Sequence, residues 1–299
     1  MRVKVTVVVM CYRRWIYLPS AIKSIKAQSR QPDEIIVVKS PEIRLPEDSI
    51  KVIDDDSPHV GKKIIEAVED AIGDIIVFLD DDDEFTNDKV AIVSRSFEGT
   101  GELTYVHNST SCITSDGIEV QNVRYYFKIP PYIRPCIQVN RRRVFDLSNH
   151  YEFGKWLWAG AAFNASSISI KREALMGIKY YVNQISVVSD SIIYYGAALN
   201  GGLALLLPEK LTKYRIHSNN VSRGQLTSFN DYIESMKTLL NKVIHDYSII
   251  CEMTKGSRFE KYACMEKGIY TAAARIFNGQ GELRLRYLNS RSFKYYLIA

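Results

Sequence analysis

The chain has 299 residues, 46% of them hydrophobic and 24% charged, a balance that excludes a disordered or fibrous protein and supports a core without staples. A formal net charge of +5 and a pI near 8.8 suit an anionic ligand such as a nucleotide, a phosphate or an acidic membrane face. With no nucleic-acid-binding motif, basic composition alone does not point to nucleic acid.

Residues 3–10 are rich in Val and read as a buried strand. The apolar part of this run is too short, and meets Arg13 and Arg14 too soon, to be a signal peptide. No stretch reaches the roughly 18–20 apolar residues that span a bilayer. Leu18, Ala21, Ile22, Ile25 and Ala27 form a helical stripe over residues 18–28, with Pro19 tolerated in its first turn. Residues 34–39 and 49–54 read as second and third strands. Residues 62–72, between Gly61 and Gly73, read as a second helix, and residues 74–79 as a fourth strand. This alternation predicts an α/β fold with a mixed, mostly parallel sheet flanked by helices, and ligands beyond the carboxyl ends of its strands. Beyond Gly99, short strands are expected at 103–107, 111–114 and 118–123, with a turn at Asp116-Gly117. A long connection at 124–143 and a second α/β stretch at 165–208 follow, and residues 226–299 are mainly helical. The five cysteines (Cys11, Cys112, Cys136, Cys251 and Cys264) are odd in number, scattered and without a C-x-x-C pair. They argue against a disulfide framework or a zinc site and for a reducing, cytoplasmic compartment.

The run IIVFLDDDDEF, residues 75–85, drives a buried strand into four aspartates. Packed carboxylates disfavour one another's ionised forms. A hard divalent cation, Mg²⁺ or Mn²⁺, reverses that cost and takes carboxylate and phosphate oxygens together. A solvated acidic loop is the plainer alternative, and the spacing does not match a calcium-binding EF-hand.

With the segments VTVVVMCYRR, YLPSAIKSIKAQ and PDEIIVV before it, this run resembles the inverting family-2 glycosyltransferases of the GT-A fold. The likeness extends downstream through ASSISIKREAL and SDSIIYYGAALNGGLALLLPEKLTKYRIHSNNVS, covering roughly residues 3–224. It implies a nucleotide-sugar donor, Asp80 on the ribose or metal, Asp82 on the metal bridging the diphosphate, Asp81 in a variable slot and Asp83 supporting the turn. It makes Asp190 the general base, at the start of a helix opened by Ser189 and closed by Gly201-Gly202, and places Arg215 and His217 beside the diphosphate, His217 as a third metal ligand. Cys11, Tyr12 and Arg13 stand in the donor-binding turn after the first strand, where the family has Pro-x-Tyr-Asn. Lys39 stands where it has a base-reading aspartate pair, and Ser189 replaces the glutamate that commonly precedes the catalytic aspartate.

Residues 124–143 are aromatic and basic, and read either as a packed connector with solvated arginines or, with Trp156 and Trp158, as an acceptor surface for a glycan, protein-linked or lipid-linked hydroxyl. The tail carries 11 Lys and Arg against 7 Asp and Glu, which suits a peripheral membrane contact, packing on the core or a homodimer. The chain divides into a donor-binding half (1–100), an acceptor-binding and catalytic half (101–225) and a helical extension (226–299). A nucleotidyltransferase is disfavoured because no glycine occurs before Gly61 to form its phosphate loop. A catalytically silent nucleotide- or glycan-binding module is the remaining alternative. Asn-x-Ser/Thr triplets at Asn108, Asn164 and Asn220 are read as chance.

Overall fold

The strand β1 (Val5–Met10) is buried along its whole length because it is covered on both faces. Val8 and Met10 join one hydrophobic cluster, and Val5, Val7 and Val9 join another on the opposite face. The computed structural model describes residues 2–11, 15–45, 50–120, 139–217, 220 and 229–279. β1 pairs in parallel with β2 (Glu34–Lys39) and β4 (Ile75–Asp80), and β2 with β3 (Lys51–Asp54). The helices α1 (Leu18–Lys26) and α2 (Val60–Asp70) make the crossovers, so both faces of the sheet need apolar side chains.

The second half extends the same sheet. β5 (Glu84–Phe85), α3 (Lys89–Gly99), β6 (Leu103–Thr114), β7 (Arg143–Asp146) and α4 (His150–Trp158) come first. Then follow β8 (Ile168–Lys171), α5 (Arg172–Met176), α6 (Lys179–Val182), α7 (Ser189–Asn200) and β9 (Leu203–Ile216). The strand order is β3-β2-β1-β4-β8-β6-β9-β5, with β7 also on β9. β8 runs antiparallel to both β4 and β6, which makes the sheet mixed. The helices α8 (Phe229–Met253) and α9 (Glu260–Phe277) place Val243, Tyr247, Ile250, Phe259 and Ala263 in the larger cluster, together with residues of β1, β2 and α7. Gly154 of α4 lets α9 approach closely, since a Cβ there would lie 2.4 Å from the Tyr262 ring.

Two expectations are corrected. β6 runs unbroken where two short strands are predicted, and beyond it the described residues show only the isolated bridge Ile113–Glu119. The polar stretch at 108–110 reads as a break, yet it is buried and absorbed as register shifts against β9. Asn108 Nδ2 donates to the Ser109 carbonyl and Thr212 Oγ1, and Ser109 Oγ to the Leu207 carbonyl, which gives these buried donors partners, while Asn108 Oδ1 and His107 Nδ1 are buried without one among the described residues. Second, Cys112 is disulfide-bonded, while Cys11, Cys251 and Cys264 are free. Pairing depends on which thiols the fold brings within reach, which spacing alone does not report.

Candidate active site

The acidic turn forms at the carboxyl end of β4, where Asp80 lies opposite Met10 of β1. The Asp80 N–H donates to Ser166 Oγ (2.9 Å), Asp81 N–H to the Met10 carbonyl (3.2 Å) and Asp83 N–H to the Asp80 carbonyl (3.2 Å). The turn folds back so tightly that Asp81, Asp82 and Asp83 are all buried. Asp80, Asp82 and Asp83 each offer one oxygen, and these atoms lie within 4.8 Å of one another. A compact set of carboxylate oxygens beside open strand ends fits Mg²⁺ or Mn²⁺ rather than a soft metal.

Groups from β9 and the segment after it enclose the turn. Arg215, only 3% exposed, donates from Nε to the Asp82 carbonyl (2.8 Å) and from Nη1 to the Thr114 (3.1 Å) and Ser115 (2.9 Å) carbonyls. Its Nη2 donates to Glu84 Oε1 (2.5 Å), and the guanidinium lies 4.9 Å over the Tyr17 ring. Four of its five N–H groups therefore hold protein acceptors. His217 Nε2 lies 2.9 Å from Asp82 Oδ2, and its backbone N–H donates to Asn220 Oδ1 at 2.8 Å. Below the turn, fully buried Lys89 donates to the Ser166 carbonyl and to Thr212 Oγ1 (3.0 Å). Burial pushes its ammonium well below the usual lysine range, against the attraction of Asp83.

Asp190 stands in the first turn of α7. Its Oδ1 accepts the Ser191 N–H (2.8 Å) and its Oδ2 the Asn164 N–H (3.2 Å). Burial pushes its pKa up to about 6, and the N–H bonds from Ser191 and Asn164 oppose that rise. Asn164 also donates from Nδ2 to Asp83 Oδ2 (3.3 Å) and caps the following turn through the Ser166 N–H. Its φ of 66° makes it the one non-glycine residue with positive φ among those described. Through Asn164 the acidic turn and Asp190 become parts of one site.

The other expected residues lie as follows. Lys39, at the carboxyl end of β2, is buried and donates to Asp54 Oδ1 on β3 at 2.5 Å. Cys11 is fully buried just past β1, its N–H donating to the Val38 carbonyl. Tyr12, Arg13 and residues 124–138 of the basic aromatic segment lie outside the described residues. Trp156 stacks on Phe145 (6.0 Å between ring centres) and donates from Nε1 to Glu152 Oε2 (2.9 Å), whereas Trp158 is half-buried. Ser189 does not cap α7: the capping position belongs to Val188, whose side chain carries no hydrogen-bond acceptor.

Sequence reasoning missed Asn164, Asn220 and Glu84. The two asparagines stood out only as glycosylation triplets, but Asn108, Asn164 and Asn220 are all buried, and Asn220 Nδ2 reaches the Arg215 carbonyl (3.1 Å) and Asp82 Oδ2 (3.4 Å). Asp83, expected only to support the turn, also offers an oxygen to the carboxylate set that could hold a metal ion.

The family described as Glycosyl transferase family 2 matches this chain over residues 6–155. Among solved structures, S. aureus TarS 1–349 in complex with UDP is 14% identical, with a TM-score of 0.52 over 98% of this chain and 88% of that one. The same TarS fragment with UDP-GlcNAc is 15% identical, with a TM-score of 0.54 over the same shares. These likenesses bear out the GT-A-like fold. No curated protein matches the chain.

Proposed function

The chain belongs to glycosyl transferase family 2 and is a glycosyltransferase, and from that premise we propose that it moves a sugar from a nucleotide-diphosphate donor to an acceptor hydroxyl with inversion, Asp190 acting as general base. The observation that carries this reading is the link from Asp83 through Asn164 to Asp190, which sets a metal-binding carboxylate turn and a proton acceptor on one frame.

The donor is read as lying over the carboxyl ends of β1, β2 and β4, beside Cys11, Tyr12, Arg13, Lys39, Asp80 and Asp81. The structures of TarS with UDP and UDP-GlcNAc support a uridine diphosphate sugar as the first donor to try. Asp80, Asp82 and Asp83, with His217 against Asp82, would hold Mg²⁺ or Mn²⁺. Bound there, the ion would neutralise charge on the departing nucleoside diphosphate. Arg215 holds the turn from behind and leaves one N–H for phosphate. The acceptor, a glycan, protein-linked or lipid-linked hydroxyl, approaches from the Asp190 side, with Trp156 and Trp158 as candidate sugar platforms.

The acceptor oxygen forms a bond to the anomeric carbon as the bond from that carbon to the diphosphate oxygen breaks. The acceptor proton passes to Asp190, and attack opposite the leaving group inverts the anomeric centre. A carboxylate raised to about 6 is ionised at neutral pH yet binds a proton more readily than an ordinary aspartate, which suits a base operating there. Among the described residues no helix is long and apolar enough to cross a membrane, so a lipid-linked acceptor would be met at a surface.

The test offers a panel of UDP-, GDP- and dTDP-linked hexoses and measures release of nucleoside diphosphate with Mn²⁺, with Mg²⁺ and with EDTA. Release from one donor, abolished by EDTA, is expected. Pyrophosphate release would mean a nucleotidyltransferase, and binding without any release would mean a silent module.

A further inference from the structure

We propose that Asp246, on the C-terminal helix α8, is the positioning residue for Asp190. The proposal rests on the reading of Asp190 as the base and adds to it the part of the chain that sets where that base stands. The first turn of a helix leaves backbone N–H groups without partners, and a side chain at the capping position commonly accepts one. Asp190 accepts the Ser191 N–H within the first turn, but the capping residue of α7 is Val188, whose side chain offers no acceptor.

Asp246 supplies one from another element. Its fully buried carboxylate accepts the Ser186 N–H on Oδ1 (3.0 Å) and Oδ2 (3.1 Å), the Val187 N–H on Oδ2 (2.7 Å) and the Val188 N–H on Oδ2 (3.1 Å). A buried carboxylate is costly unless hydrogen bonds saturate it. Here three converging N–H groups and the positive end of α7 provide that compensation. Around it, Tyr247 Oη lies 3.0 Å from Ser191 Oγ, one residue past Asp190, and the Tyr247 ring stacks on Tyr270 of α9 at 5.3 Å. One turn further along α7, Tyr195 donates to Glu266 Oε2 at 2.9 Å.

A local serine cap would fix only the helix to itself. Asp246 fixes the approach to the helix against the tail, and so sets α7 relative to the Asn164 turn. Asp190 needs that register, because its two oxygens take N–H groups from both sides, Ser191 and Asn164. Misplacing a catalytic group by about 1 Å can cost about 10²-fold in rate.

The experiment compares Asp246→Asn with the parent in two ways. Amide hydrogen exchange is read over residues 186–191. Nucleoside diphosphate release is measured with the same panel of UDP-, GDP- and dTDP-hexoses, in the parent and in an Asp190→Asn background. We expect faster exchange confined to 186–191. Release should slow about tenfold or more with donor KM unchanged in the parent, and Asp246→Asn should cause no further loss once Asp190 is gone. Unaltered exchange, or an equal fall in both backgrounds, overturns the proposal, since a merely structural residue would slow both alike. If Asp246→Asn does not fold, Tyr247→Phe, which removes a single hydroxyl, is put through the same cycle, and additivity there overturns the proposal too. The two readings fail separately. Normal turnover in Asp190→Asn alone sinks the base, whereas an impaired Asp190→Asn beside a fully active Asp246→Asn sinks only the positioning.

Discussion

The backbone N–H of Asn164 donates to Oδ2 of Asp190 at 3.2 Å, from a residue held at a φ of 66°. Positive φ in a non-glycine residue costs about 1–3 kcal/mol and persists only where the surroundings impose it. Here backbone and side chain both impose it: the N–H bonds Asp190, the carbonyl accepts the Ser167 N–H, and the side chain bonds Asp83 Oδ2 and the Ser166 N–H. The strained backbone aims one N–H at Asp190 while the amide holds the acidic turn.

Asn164→Ala should lose these side-chain bonds and keep the strain, lowering stability by about 1–3 kcal/mol and turnover by about tenfold or more. Asn164→Gly should recover about 1 kcal/mol of that loss without recovering the rate, because glycine relieves φ but has no amide. Chemical denaturation and product release on the two variants check this. Full turnover in Asn164→Gly would show that only the backbone matters.

Asp190→Asn should leave donor affinity nearly unchanged and slow turnover by about 10² or more, the lower end for loss of a general base. Donor titration alongside single-turnover kinetics separates the two effects. Weakened donor binding would move Asp190 to the nucleotide side.

The raised pKa of Asp190 has a fixed sign in stability. A carboxyl lifted from 3.8 to about 6 favours the fold when protonated. That contribution is complete below pH 3.8 and is lost as pH rises through 6, after which the charge costs up to about 3 kcal/mol. Asp190→Asn should therefore gain on the parent between pH 4 and pH 8 by up to that amount. In the parent, kcat/KM, which reports the free enzyme, should fall with unit slope below about pH 6. A stability difference independent of pH would mean the carboxyl is not raised.

His217→Ala should weaken Mn²⁺-dependent donor binding about 10–100-fold, the range for groups that orient metal-binding carboxylates, since the imidazole lies against Asp82. Titration of donor at fixed Mn²⁺ measures it, and unchanged affinity would reduce His217 to a packing role beside Tyr17.

Much of residues 1–100 could be read from sequence, because buried strands and amphipathic helices write their periods into local residues. The acidic turn was legible for the same reason: Asp80 to Asp83 are contiguous, and Arg215 and His217 fall at the end of a strand that reaches them. Asn164, Asn220 and Asp246 were not legible. Their roles come from what the fold places opposite them, Asn164 joining Asp83 to Asp190 across 81 and 26 residues of chain. Asp246 caps a helix start 58–60 residues earlier. The β6 error has a similar origin, since its polar middle looks like a break until β9 supplies partners.

The central claim, a donor diphosphate held through a cation on the Asp80–Asp82–Asp83 cluster, is tested most directly by calorimetric titration of UDP into the parent and into Asp82→Asn, each with Mn²⁺ and with EDTA. The account predicts binding in the parent with Mn²⁺ that EDTA removes, and no Mn²⁺-dependent binding in a folded Asp82→Asn. UDP binding that is equally tight with EDTA, or undiminished in Asp82→Asn, would contradict it.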